Sequence, residues 1–308
     1  MSRVATYGNY QSALMDLMAS QTRMAEAQTR IATQKNATDL VGYGRQSETL
    51  TAMKGSMARL QGFIDTGEAV SARLTTQDLA MNRVNDAITD LRSVIGNALA
   101  TESNITLMQE SENAFQSIRG GLNSKHNGAY LFGGAHSDQQ PMTAASLVDL
   151  AAAPATASVF TNDDLKSASR IGEGTMIETG VLAPDLGQDV LDILRDIQVF
   201  NDGPQGPLSG KMTTTQRDFL TTQLSRLEAA SAGVVNRIAL TGTQAQQVET
   251  VMDDNRQQLS ALEGLMSNKT DADMAKAITD LQLSQVAVQA SAQVISQLRD
   301  VSLLNFLR

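Results

Sequence analysis

Two unbroken three-four repeats run through this chain. The first lands on Leu50, Met53, Met57, Leu60, Ile64, Gly67, Ser71, Leu74, Asp78, Met81, Asn85, Ile88, Arg92 and Ile95. The second lands on Leu220, Leu224, Leu227, Ser231, Val234, Ile238, Thr241, Ala245, Val248, Met252, Asn255, Leu259, Leu262 and Met266. A repeat held over so many turns requires a helix packed lengthwise on other helices. At about 1.5 Å per residue each repeat spans roughly 70 Å. Two rods of similar length, separated by a different kind of segment, fold back antiparallel as a bundle. The expected fold class is therefore mainly α, a long antiparallel helical rod. Asp78, Asn85 and Arg92 interrupt the first seam at seven-residue spacing, and they read as register-fixing or edge residues rather than as a polar site.

Between the seams the pattern changes. Ile105–Leu122 reads as a helix with Phe115, Ile118 and Leu122 on one face, broken at Asn123–Gly128. Ser137–Asp185 has no helical period and is rich in Ala, Ser, Thr and Gly. It is expected to form a small β-rich insertion outside the helices and at the tip of the rod, with a hairpin turning at Gly172-Glu173-Gly174. Helix resumes at Gln188–Phe200, and Asn201–Pro207 is a loop. The expected segments are 1–40, 41–136, 137–185, 186–270 and 271–308: a first arm, the rod's first part, the insertion, the rod's second part and a last arm.

The two arms share a character. In the first, Leu17, Met24 and Ile31 recur every seven residues, a narrow seam of the coiled-coil kind. That helix is expected to end near Thr33–Thr38, with Asp39–Arg45 a loop. The last arm opens Thr270-Asp271-Ala272-Asp273, where the Thr oxygen is expected to cap the helix and the carboxylates favour its positive end. Met274, Ile278, Leu281, Val288 and Ile295 follow at helical steps. No charge occurs from Leu281 to Leu298, yet Gln282, Gln285, Gln289, Gln293 and Gln297 exclude a membrane span. A neutral Gln/Ser/Ala face suits a helix surrounded by protein, where amides hydrogen-bond without the cost of burying charge. The run Val301–Arg308 stays apolar to its last turn. Leu17, Met24, Ile31, Leu281, Val288, Ile295, Leu298, Leu303, Leu304, Phe306 and Leu307 are the expected subunit-interface residues, and the arms are expected to pair as coiled-coil helices.

Several function classes are disfavoured. Net charge is −9 and no Lys/Arg cluster offers a stripe for phosphates, so nucleic acid is not an expected partner. There is no cysteine for disulfide or thiolate chemistry. Met1-Ser2-Arg3-Val4 opens no apolar signal region, although some export routes read no cleavable signal. His126 and His136 are the only histidines and lie in the glycine-rich turn region, where Asp138 is the one further ligand that suggests itself. Asp163-Asp164 and Asp253-Asp254 are adjacent pairs; adjacent residues on a helix do not face each other, so Asp253-Asp254 reads as a solvated face. Gly42-Tyr43-Gly44-Arg45 and Gly172-Glu173-Gly174 are too short for a nucleotide loop. No cofactor, metal or catalytic constellation is expected.

The stretch Ser267–Leu281, the neutral helix after it and Ser302-Leu303-Leu304-Asn305-Phe306-Leu307 resemble the C-terminal region of the bacterial flagellin family. Gln34-Lys35-Asn36-Ala37-Thr38 is similar to the place where that family turns out of its first helix. Asn127-Gly128-Ala129-Tyr130-Leu131-Phe132-Gly133-Gly134 resembles the Gly-x-Tyr-Leu/Ile-Phe-x-Gly stretch of the family's hook–filament junction members. Arg170–Gly174 with Glu178-Thr179-Gly180 is similar to their outer hairpin. The Ser-x-Gly-Lys stretch and acidic turn of filament flagellins are not present in full. The resemblance implies a structural subunit exported without a cleaved signal to the extracellular flagellum. It implies a helical or ring homo-oligomer joined to another hook-associated protein and to flagellin, with an export chaperone as a further partner. Two other readings are filament flagellin and a coiled-coil signalling rod, the latter lacking here the expected membrane helix.

Overall fold

In this computed structural model the backbone of residues 2–304 and the side chains of residues 8–297 are described. The elements are α1 (Ser2–Thr33), α2 (Ser47–Thr101), α3 (Leu107–Leu122), β1 (Lys125–His126), β2 (Ala129–Tyr130), α4 (Leu147–Ala152), β3 (Ala168–Arg170), β4 (Met176–Glu178), α5 (Ala183–Asp202), α6 (Thr214–Thr270) and α7 (Met274–Leu304). Among the described residues the chain is mainly α with two small antiparallel sheets. It divides into two compact units, Met1–Ala58 with Leu259–Arg308, and Arg59–Gln258.

In the Arg59–Gln258 unit α2 and α6 lie antiparallel. Their polar pairs ascend one helix as they descend the other: Glu68 with Arg256 at 3.0 Å, Asn85 with Ser231 at 3.0 Å, and Arg92 with Glu228 at 3.9 Å. Within this unit every position of the two repeats is buried or half-buried except Arg92. Asn85 thus ties the helices in register, Asp78 accepts locally from Asn82, and Arg92 sits at the exposed edge.

One core joins four helices. Met81, Ile88, Leu91 and Ile95 of α2 meet Phe115, Ile118 and Leu122 of α3, Val190, Leu194 and Ile197 of α5, and Leu220, Leu227 and Val234 of α6. Each buried aliphatic or aromatic side chain here is worth about 1.5–3 kcal/mol. α3 lies close on α2 because Gly121 has no side chain: a Cβ there would come 2.6 Å from Val84 Cγ2 and 3.0 Å from the Ala80 carbonyl. The junction-like stretch enters this core directly, with Leu131 and Phe132 buried. Gly134 follows with φ 68, and its bare Cα leaves room for Asp163, whose Oδ1 accepts from Ala135 N at 2.7 Å.

The segment after Ser137 contains the expected hairpin, with Ala168 opposite Glu178 and Arg170 opposite Met176. It also contains α4, which the sequence reading missed. Six residues are too few to show a period, and the cap is local, Ser146 Oγ accepting from Asp149 N at 3.2 Å. The expected place of the insertion at a tip is wrong. Ile171 and Ile177 pack on Val70 and Leu74 of α2 and on Val248 and Met252 of α6. Side-chain amides hold the hairpin backbone: Gln77 donates to the Thr179 carbonyl at 3.0 Å, Gln244 to Glu178 at 2.8 Å and Asn255 to Ile171 at 3.0 Å. The far end of α2 and α6 is closed instead by the turn after α2 and the loop before α6. There Asn104 N donates to the Gly210 carbonyl and Met212 N to the Glu102 carbonyl, both at 2.8 Å. α5 begins at Ala183 rather than Gln188, because Pro184 fits a first helical turn, where its missing N–H would have no partner.

Candidate assembly interface

The unit formed by Met1–Ala58 and Leu259–Arg308 is built on α1 and α7, which pack antiparallel. Arg30 faces Asp280 at 3.4 Å, and Lys35 pairs with Asp271 at the end of the seam. Leu17, Met24, Ile31, Leu281, Val288 and Ile295 are all half-buried. The fully covered positions lie between them and are small: Ser20, Ala27, Ala277 and Ser284. These were not singled out in the sequence, where the large side chains carried the reading. Cα atoms of the two helices come within 8 Å of each other along the seam. Ser20 needs no partner across it, since its hydroxyl donates to the Asp16 carbonyl at 2.8 Å. Leu298, Leu303, Leu304, Phe306 and Leu307 lie outside the residues whose side chains are described.

A second apolar face lies on the opposite side of α7. Leu283 is 70% exposed, Val286 63% and Val294 48%. Ala290 completes the stripe. The glutamines that flank this stripe are exposed, and no charged residue accompanies them between Leu281 and Leu298. α1 adds Met15 and Met18, both exposed and pointing away from the seam. A surface helix normally carries charge on its outward face. A contiguous apolar stripe of this kind marks a contact surface.

A polar clamp fixes the base of the pair. Asn36 N donates to the Thr270 carbonyl at 2.8 Å and Ala272 N to the Gln34 carbonyl at 2.9 Å, closing a short antiparallel bridge. Asn36 Nδ2 donates to the Asp271 carbonyl at 2.9 Å. The Tyr43 hydroxyl reaches the carbonyls of Ala37 at 3.0 Å and Thr270 at 3.3 Å. Asp271 is held by Lys35, then by the hydroxyls of Ser267 and Thr270, and its carboxyl is lowered to about 2. Two sequence expectations change here. Thr270 closes α6 instead of capping α7. The α7 cap is Asp273, whose Oδ1 accepts from Lys276 N at 3.1 Å. Residues 41–46 of the expected loop form a 3-10 turn broken at Gly44, where φ is 52.

The histidines lie elsewhere. His126 contacts Thr76 on α2, and His136 lies beside the Thr161 carbonyl. Among the described residues no three His, Cys, Asp or Glu side chains converge as metal ligands, and no helix is long and apolar enough to cross a membrane.

No family model matches the sequence, and no curated protein does. Solved structures do match. FlgL of Bacillus cereus is 17% identical with a TM-score of 0.54, over 70% of this chain and 98% of that one. FlgL of Xanthomonas campestris is 10% identical with a TM-score of 0.57, over 70% and 99%. Flagellar hook-associated protein-3 of Legionella pneumophila is 10% identical with a TM-score of 0.58, over 71% and 98%. The fold of this chain is the fold of these hook-associated proteins.

Proposed function

We propose that this chain is a structural subunit of the bacterial flagellum that joins the hook, through another hook-associated protein, to the flagellin filament. The observation that carries the reading is the uncharged outer stripe of α7, Leu283, Val286 and Val294, on a fold shared with hook-associated protein-3. The junction-like stretch Asn127–Gly134 supports the choice of junction over filament. In a ring or short helix of copies, neighbouring arms cover that stripe and the half-buried heptad residues Leu17, Met24, Ile31, Leu281, Val288 and Ile295. Leu298, Leu303, Leu304, Phe306 and Leu307 extend the same contact. The role is one of packing and not of catalysis. The protein would leave the cell without a cleaved signal, with an export chaperone as a further partner.

A filament subunit has top and bottom surfaces whose contacts repeat without limit. A junction subunit has unlike neighbours above and below, so its stacking on itself must be weaker than on the correct partner. The test is a deletion strain of the parent bacterium, combined with antibody localisation on isolated flagella. Staining confined to the distal end of the hook, together with intact hooks, absent filaments and flagellin released into the medium, is the expected result. Staining along the whole filament would assign the chain to filament flagellin instead. Normal filaments in the deletion strain would reject the junction role.

A further inference from the structure

The turn between β1 and β2 contains Asn127-Gly128, the one Asn-Gly pair in the chain. Both residues have positive φ, 50 and 84, the geometry that favours this pair in two-residue hairpins. The Asn127 side chain is exposed. What stands behind it is ordered by α2. Thr76 Oγ1 donates its only hydrogen to the Ala72 carbonyl at 2.9 Å. His126 Nδ1, 3.0 Å from the same oxygen, must therefore supply the hydrogen of that contact. This leaves Nε2 as the bare nitrogen of the neutral ring. It lies 3.2 Å from Asn127 Nδ2 and accepts one of its hydrogens.

We infer that Asn127 is a site of spontaneous covalent modification, losing ammonia to its own backbone once the turn opens and the His126 contact is released. The Gly128 backbone nitrogen gives its proton to solvent base and bonds to Asn127 Cγ. The Cγ–Nδ2 bond then breaks, and Nδ2 takes a proton from solvent and leaves as ammonia. A five-membered imide joins the two residues. Water opens it at either carbonyl, giving aspartate or isoaspartate. No oxidant or reductant is involved. Glycine leaves the attacking nitrogen unhindered, and every other asparagine in the chain precedes a larger residue. The attack needs the turn to open. That opening is local, because β1 and β2 have two residues each and such short ladders are marginal by themselves. Isoaspartate would lengthen the backbone in the turn that sets Lys125 opposite Tyr130, one residue before buried Leu131.

The full chain is incubated in buffer and mapped by peptide mass spectrometry, with isoaspartate detected by enzymatic methylation. The peptide carrying Asn127 is expected to gain the mass of an acid several-fold faster than those carrying Asn162 or Asn201. Loss at Asn127 no faster than at Asn201 would overturn the site.

Discussion

Replacing Leu283 and Val286 together with Asp separates assembly from folding. In the free chain these side chains are 70% and 63% exposed, so a charge placed there remains in water. The local cost is helix propensity alone, about 0.5 kcal/mol per residue. In an assembly that covers the stripe the terms are larger. Covering the exposed parts of one Leu and one Val is worth about 2.5 kcal/mol. Two carboxylates left in a covered apolar site cost several kcal/mol each. The sum exceeds about 5 kcal/mol per subunit, a factor of more than about a thousand in association. The variant should be exported, keep the helix content of the parent by circular dichroism and fail to enter flagella. Ala25→Asp, on the exposed side of α1, is the matched control for an added charge. Incorporation of the double variant at the parent level would refute the argument that α7 is an interface.

Three further outcomes follow from packing and charge. Gly121→Ala puts a methyl against the Ala80 carbonyl, a backbone atom that cannot swing away, so it should cost about 1–3 kcal/mol and lower the melting temperature measured by calorimetry by several degrees. Phe132→Ala should cost about 3–5 kcal/mol in urea unfolding, since the ring is fully buried in the main core. The Asp271 carboxyl is depressed, chiefly by Lys35, so the clamp's contribution is present above the ordinary carboxylate range and is lost as pH falls from that range towards about 2. Carbon-detected NMR titration should show this midpoint, and Lys35→Met should move it upward.

The long seams were legible because a large side chain repeated over many turns has one explanation. Twenty-one positions of the two repeats lie between Leu60 and Asn255 together with Arg92, and only Arg92 is exposed. The arms were legible as a pair, but the contact between them was misweighted. Ser20, Ala27, Ala277 and Ser284 are what let the backbones approach, and small residues leave no signature in an apolar period. The hairpin turn was readable from its glycines. Its docking on α2 and α6 was not, because Gln77, Gln244 and Asn255 look like ordinary surface amides until their carbonyl partners are seen. Thr270 was misassigned because a helix end and the next helix start share four residues. The core role of Leu131 and Phe132 could have been suspected from two large apolar residues beside paired glycines.

The seat of the β3–β4 hairpin has a mechanical consequence. A beam made of two parallel rods resists bending in the plane that contains both and yields across it. Along one stretch of α2 and α6 the weak direction is braced by α3 and α5, which share their core. At Val70, Leu74, Val248 and Met252 the brace is the hairpin. The hairpin carries the brace beyond the reach of the short helices, so that compliance is displaced from this level. Cutting out residues 168–178 would leave a stretch of two-rod beam, and the soft direction would return there.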